Sequence, residues 1–240
     1  MKYLSHLREL RSRLLYSFIF LIICFFFFLY KASIIGEFLS QPLFDLLKDD
    51  EDKRMIFTAL PEVFLSNLKI SLFASFIFAL PFLLIQLILF ISPAMYKKEK
   101  KTLFPILVFI PVLFIIGVIF AYYILLPLIW SFFLSFENFF SNGLNVELES
   151  RYSEYMRLTM MLLLSAGLSF EFPVVLIILT KFKILSLKTL KNNRKYFFIG
   201  ILIFSAIFTP PDIISQLGIA IPLIIFYEFS IIFINFFLKK

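Results

Sequence analysis

Three carboxylates stand where carboxylates are rare. Glu171 interrupts the apolar run Leu158–Thr180, with Pro173 two residues on. A charged side chain at the centre of a membrane span costs roughly 2.5–3.5 kcal/mol on insertion scales, so such a group faces protein or a water-filled cavity. Two readings follow: a functional carboxylate, or a protonated glutamic acid hydrogen-bonded to a neighbouring helix for packing alone. Glu9 and Glu99 are the only acids among the basic segments that share their side of the membrane. Each can be a surface carboxylate paired with an adjacent Arg or Lys. Each can also hold a cationic ligand, because a carboxylate takes a guanidinium bidentately, with geometry as well as charge.

Asp212 precedes an apolar run, where an aspartate is a good helix N-cap. It can equally be a polar site at a hairpin tip. Gln216, one turn on, and Glu228, inside the same run, are further polar candidates. His6 reads as an interfacial polar residue and Cys24 as an apolar filler. With one cysteine and one histidine in the chain, neither an intrachain disulfide nor a Cys-based metal site can form. There is no GxxxxGK[ST] phosphate loop and no HExxH helix. Any work done draws its energy from elsewhere, and no cofactor is expected.

The elements that must carry these residues are membrane helices. Of the 240 residues, 61% are hydrophobic and 16% charged, against roughly 45–50% and about 25% in soluble domains. A helix needs about 20 apolar residues to cross a hydrocarbon core of about 30 Å. Six runs qualify or nearly so: residues 14–30, 65–96, 103–136, 156–180, 195–210 and 213–237. The first lacks a small-residue cleavage site after it and is read as a membrane helix, not a signal peptide. Pro105, Pro111 and Pro127 should trim or kink the third. The expected fold is an all-α integral membrane protein with six transmembrane helices and both termini inside. Its last two helices are expected to be short and joined by the turn Thr209–Asp212, where Pro210 and Pro211 stop a helix. Residues 1–240 form a single membrane domain in this reading.

Charge sets the orientation. One side carries four basic residues in the N-terminal tail, four after the second span, six after the fourth and two at the C-terminus. The other side carries six basic residues against twelve acids. The net charge of +7 is therefore a topology signal, and no nucleic-acid partner is implied. On the outer side, residues 31–64 should form short surface helices, and Asn142–Gly143 marks a turn.

Several blocks together resemble the TatC family, the polytopic core of the twin-arginine protein translocase. HLRELRSRLL at His6–Leu15 resembles its N-terminal signature. Pro61–Phe64, Ala79–Glu99, Phe120–Tyr123 and Gly167–Val174 are similar to its second to fourth spans, and Thr209–Gln216 with Tyr227–Glu228 to its last hairpin. Ser12, Leu87 and Ser92–Ala94 depart from the common pattern. The resemblance implies a receptor and not an enzyme, placed in the bacterial cytoplasmic membrane or an organelle membrane of bacterial origin. It would bind twin-arginine signal peptides of folded precursors through the N-terminal motif (His6, Glu9, Leu10, Arg11) and the first cytoplasmic loop (Glu99). It implies docking of TatA-type and TatB-type single-span partners, with Glu171, Gln216 and Glu228 as embedded polar groups. Self-association and transport driven by the proton-motive force complete the picture. The competing reading is a secondary transporter or channel for a small solute, with Glu171 as its proton or cation site.

Overall fold

The computed structural model describes residues 2–47, 55–91, 97–136 and 149–237. Among them there is no strand, only an isolated bridge between Ile56 and Arg151. The helices are α1 (Lys2–Tyr30), α2 (Ala32–Phe44), α3 (Glu62–Ile91), α4 (Lys97–Phe120), α5 (Leu126–Leu134), α6 (Tyr152–Phe170), α7 (Phe172–Lys181), α8 (Leu187–Asn192), α9 (Arg194–Phe208) and α10 (Ile213–Phe237), with a π-turn at Ala121–Leu125 before α5. Five stretches are long and apolar enough to cross a membrane: Arg8–Tyr30, Glu62–Leu87, Val108–Leu134, Tyr152–Lys181 and Ile213–Phe236. Large apolar side chains such as Phe26, Phe78, Phe109 and Ile225 lie on their surfaces, as the low share of charge requires when lipid is the solvent.

The remaining expected span, fifth along the chain, corresponds to α9. Its 15 residues cover about 22 Å at 1.5 Å per residue, well under a core of about 30 Å. Extended backbone at Thr209 and the two prolines end it. The expectation of two short final helices holds for α9 alone. α10 runs 25 residues, and Pro222 inside it bends no boundary into the chain. Of the short helices expected over residues 31–64, one is present among the described residues, α2. The turn at Asn142–Gly143 lies outside the described residues.

The chain divides into two compact units, Met1–Leu39 with Ala59–Val112, and Ser40–Thr58 with Leu113–Lys240. In the first unit α1 packs on α3. Ser71, Ser75 and Ala79, spaced by four, are fully buried on α3. Small residues at that spacing let helix backbones approach closely where lipid offers no hydrophobic drive. The Ser71 hydroxyl donates to the Asn67 carbonyl at 2.6 Å and reaches the Phe28 carbonyl of α1 at 3.4 Å. Phe20 meets Phe82 at 4.5 Å between ring centres, and Phe28 meets Phe78 edge-on at 5.6 Å. Such pairs contribute about 0.5–1.5 kcal/mol each beyond their burial.

In the second unit α6 is the central helix, with Met156, Thr159, Leu162 and Ser165 buried along it. The end of α4 approaches it closely at one point. A Cβ added to Gly117 would sit 2.7 Å from the Ala166 carbonyl oxygen, and one added to Gly167 would sit 2.7 Å from the Phe114 ring. Only glycine permits that approach. The π-turn follows at once. Pro127 lacks an N–H and its ring crowds the carbonyl four residues back. A wider turn just before it relieves the crowding and keeps Leu125, Leu126, Ile129 and Trp130 in the core.

Candidate functional site

Glu171 sits at a break in its span. Pro173 cannot donate to the Ser169 carbonyl and clashes with it, so the helix stops at Phe170 and restarts at Phe172. Glu171 spans the gap with φ −77° and ψ −14°. Its amide turns back to the Leu168 carbonyl at 3.1 Å, a tighter turn than α, and its own carbonyl accepts from Val175 at 3.0 Å. The backbone is thus satisfied, but the side chain is not. Both carboxylate oxygens are covered, and neither has a hydrogen-bond partner among the described residues. The Phe114 backbone lies close enough to act on the carboxylate without meeting hydrogen-bond geometry. Aromatic rings make the nearby wall: Phe170 stands 5.4 Å from Phe120 and 4.7 Å from Phe226.

Glu9 is the opposite case. It lies on α1, partly exposed, and Arg13 one turn on donates to its Oε1 through Nε at 3.0 Å and Nη2 at 2.6 Å. The same guanidinium donates from Nη1 to Gln86 Oε1 on α3 at 3.2 Å. Glu9 therefore has the adjacent arginine that one sequence reading foresaw, and that arginine also ties α1 to α3. Oε2 accepts nothing from the described residues. Leu10 is half-buried and Arg11 exposed on the same helix. His6 lies on α1 and Glu99 in the first turn of α4, but their side chains lie outside the described residues.

The hairpin between α9 and α10 gathers the other candidates. Asp212 Oδ1 accepts from the Ser215 amide at 2.7 Å, which is the N-cap that its position promised. Its Oδ2 and the Ser215 hydroxyl are buried without partners among the described residues. Gln216 donates to the Leu202 carbonyl at 3.1 Å, and Thr209 to the Ser205 carbonyl at 2.9 Å. Pro210 and Pro211 separate the two helices, and the Asp212 amide closes a tight turn on the Pro210 carbonyl at 2.7 Å. At the far end of α10, Glu228 accepts from Arg194 at 2.9 Å, both half exposed.

Tyr227, beside Glu228, carries a role that its sequence position did not reveal. Its fully buried side chain donates to the Leu190 carbonyl of α8 at 2.6 Å, and its ring meets Phe197 at a tilt and Phe198 edge-on. A tyrosine next to a glutamate in an apolar run was the available signal, since a buried phenol needs an acceptor. Gly117 and Gly167 were also missed; each is a glycine inside a span, where a close approach explains it best. Among the described residues no cluster of His, Cys, Asp and Glu has metal-holding proximity.

The chain matches the family model of TatC, the Sec-independent protein translocase protein, over residues 5–222. It is 40% identical over 232 residues to the Sec-independent protein translocase protein TatC of Rickettsia prowazekii (strain Madrid E), covering 97% of this chain and 92% of that one. The TatC of Escherichia coli (strain K12) is 34% identical over 237 residues, with 99% and 89% covered. A crystal structure of the twin-arginine translocase receptor TatC superposes with a TM-score of 0.76 at 36% identity, covering 95% of this chain and 96% of that one. The same receptor crystallised in DDM gives a TM-score of 0.79 at 36% identity, with 95% and 98% covered. A solute carrier built on Glu171 has no place beside these matches. The chain belongs to the TatC family, multi-pass membrane components of the Sec-independent protein translocase.

Proposed function

We propose that this chain is the signal-reading receptor of its translocase, and that Glu9 and Glu99 hold the two consecutive arginines of a precursor's signal peptide. The observation that carries the reading is Glu9 itself. A partly exposed carboxylate already holds a guanidinium on one oxygen, and the other accepts nothing from the described residues. An incoming arginine can add to Oε2 or replace Arg13, whose pair with Glu9 is partly exposed; fully exposed pairs are worth only about 0.2–1 kcal/mol. Arg11, Leu10 and His6 on the same helix would contact the rest of the peptide.

In the same reading the whole of residues 1–240 is one membrane domain. It crosses the cytoplasmic membrane of a bacterium six times, with α9 as the short fifth span and both termini inside. The basic asymmetry of the loops supports this orientation. With Cys24 replaced by serine, single cysteines at positions 212 and 186 test it in intact cells. An impermeant thiol reagent should label position 212 and spare 186; the reverse pattern overturns the topology. TatA-type and TatB-type single-span proteins dock at the polar groups set into the spans, Glu171, Gln216 and Glu228. Several copies assemble, and the proton-motive force drives export.

The decisive experiment is peptide affinity. Each charge-assisted contact is worth roughly 1.5–3 kcal/mol, and about 1.4 kcal/mol is a factor of ten. Glu9→Ala or Glu99→Ala should weaken binding of an Arg-Arg peptide to the purified protein by about 10- to 150-fold. A Lys-Lys peptide should also bind weakly, since an ammonium cannot make the planar pair. Equal affinities for wild type and both variants would remove the mechanism.

A further inference from the structure

A groove of about 600 Å³ lies open on the second unit. Phe172 and Val175 of α7 form one wall, Tyr196, Gly200 and Phe204 of α9 the other, and Leu223 of α10 contributes to the floor. From Tyr196 to Phe204 it follows α9 for about 12 Å along the helix. Nearly all its surface is apolar; the Ser169 hydroxyl at its edge is already spent on the Ser165 carbonyl. Gly200 widens it, since a Cβ there would meet nothing within 4 Å.

The two ends of the groove differ. At the Tyr196 end, Lys195 Nζ stands 5.0 Å from the centre of the Tyr196 ring. The segment from 181 to 195 carries Lys181, Lys183, Lys188, Lys191, Arg194 and Lys195, with no acid. Arg194 is neutralised by Glu228, whereas none of the five lysines has an acidic partner among the described residues. An apolar wall alone selects nothing inside a bilayer, because lipid tails are as apolar as leucine. The selective element is the cationic mouth. An anionic phospholipid meets it with net negative charge at the phosphate and an acyl chain to lie along the trough.

We propose that this groove is a binding site for an anionic phospholipid, with one acyl chain lying between α7 and α9 and the phosphate held at the mouth by Lys195. The neighbouring lysines complete the positive rim, and Tyr196 sits at the interface between chain and headgroup.

Native mass spectrometry of the full chain in detergent tests this, with equal amounts of phosphatidylglycerol and phosphatidylcholine carrying the same acyl chains. Wild type should retain phosphatidylglycerol over phosphatidylcholine on the order of tenfold, the scale set by one or two lysines near an anionic headgroup. Lys195→Glu should erase the preference. Gly200→Leu and Gly200→Phe, which fill open space, should reduce retention of both lipids, with unchanged melting temperature as the check on folding. Equal retention of the two lipids by wild type overturns the proposal. So does undiminished phosphatidylglycerol on either folded Gly200 variant. Loss of a co-purified single-span partner from those variants, with lipid retention unchanged, would assign the groove to that partner instead.

Discussion

The start of α1 and the junction of α6 with α7 each carry a glutamate, and the surroundings treat the two in opposite ways. Glu9 has a guanidinium one helical turn away on one oxygen, and its other oxygen has no partner among the described residues. Glu171 has both oxygens covered and no partner among the described residues. The first arrangement is exchangeable, as the proposed exchange of Arg13 for a signal-peptide arginine requires. The second costs the fold free energy, because a buried polar group without a partner loses about 1–3 kcal/mol.

The largest effect that would break this contrast lies at Glu171. Glu171→Ala removes the unpartnered group, so export of a twin-arginine precursor should be lost while the purified protein melts at the same temperature or higher. Glu171→Gln separates charge from polarity, and full export by that variant would show that an ionised group is not needed. If Glu171→Ala exports normally, or melts markedly lower, the carboxylate is an ordinary packing element and the contrast fails.

A smaller effect sharpens the account of the wall near Glu171. Gly117→Ala drives a methyl to 2.7 Å from the Ala166 carbonyl oxygen, and overpacking of this kind costs about 1–3 kcal/mol. Unfolding in mixed micelles should register that loss, whereas Gly200→Ala, which meets open space, should leave stability unchanged. Equal behaviour of the two variants would mean that α4 and α6 are not in close contact at this point.

The smallest expected effect belongs to Glu228. Its pair with Arg194 is half exposed, and pairs of that kind contribute about 0.2–1 kcal/mol. Glu228→Gln should shift the unfolding midpoint barely, and raising the salt concentration should shift wild type towards the variant. A loss as large as that at Gly117 would place Glu228 with the costly carboxylates and not with Glu9.

Much of this arrangement is legible in the residues. Uncharged runs of sufficient length mark the long spans, because length and the absence of charge are what a bilayer demands. The brevity of α9 follows from where its basic leader ends and Pro210–Pro211 begins. Asp212 as a cap and Glu9 beside Arg13 are local relations at fixed spacing, and both are present. What the residues conceal is tertiary. Arg13 reaching Gln86, Tyr227 reaching Leu190 and the Gly117–Gly167 approach join positions whose separation along the chain carries no period. Pro173 announces some disturbance near Glu171, but not that the helix stops for one residue and leaves the carboxylate without a partner. Glu99 and His6, whose side chains lie outside the described residues, rest on the family resemblance and on charge.

The π-turn at Ala121–Leu125 has a consequence for how the third long span is numbered around its axis. A π-turn absorbs one residue beyond the regular ladder, so the helices on either side keep a common phase although one residue of chain has been spent. A helical wheel drawn straight from Leu113 to Leu134 drifts by about 100° past this point. It would then turn Ile129 and Trp130, both buried, away from the face that carries Phe114 and Gly117. The turn is one residue of slack in an otherwise rigid rod, and it lets the two ends of the span present matched faces that an unbroken α-helix of this length could not.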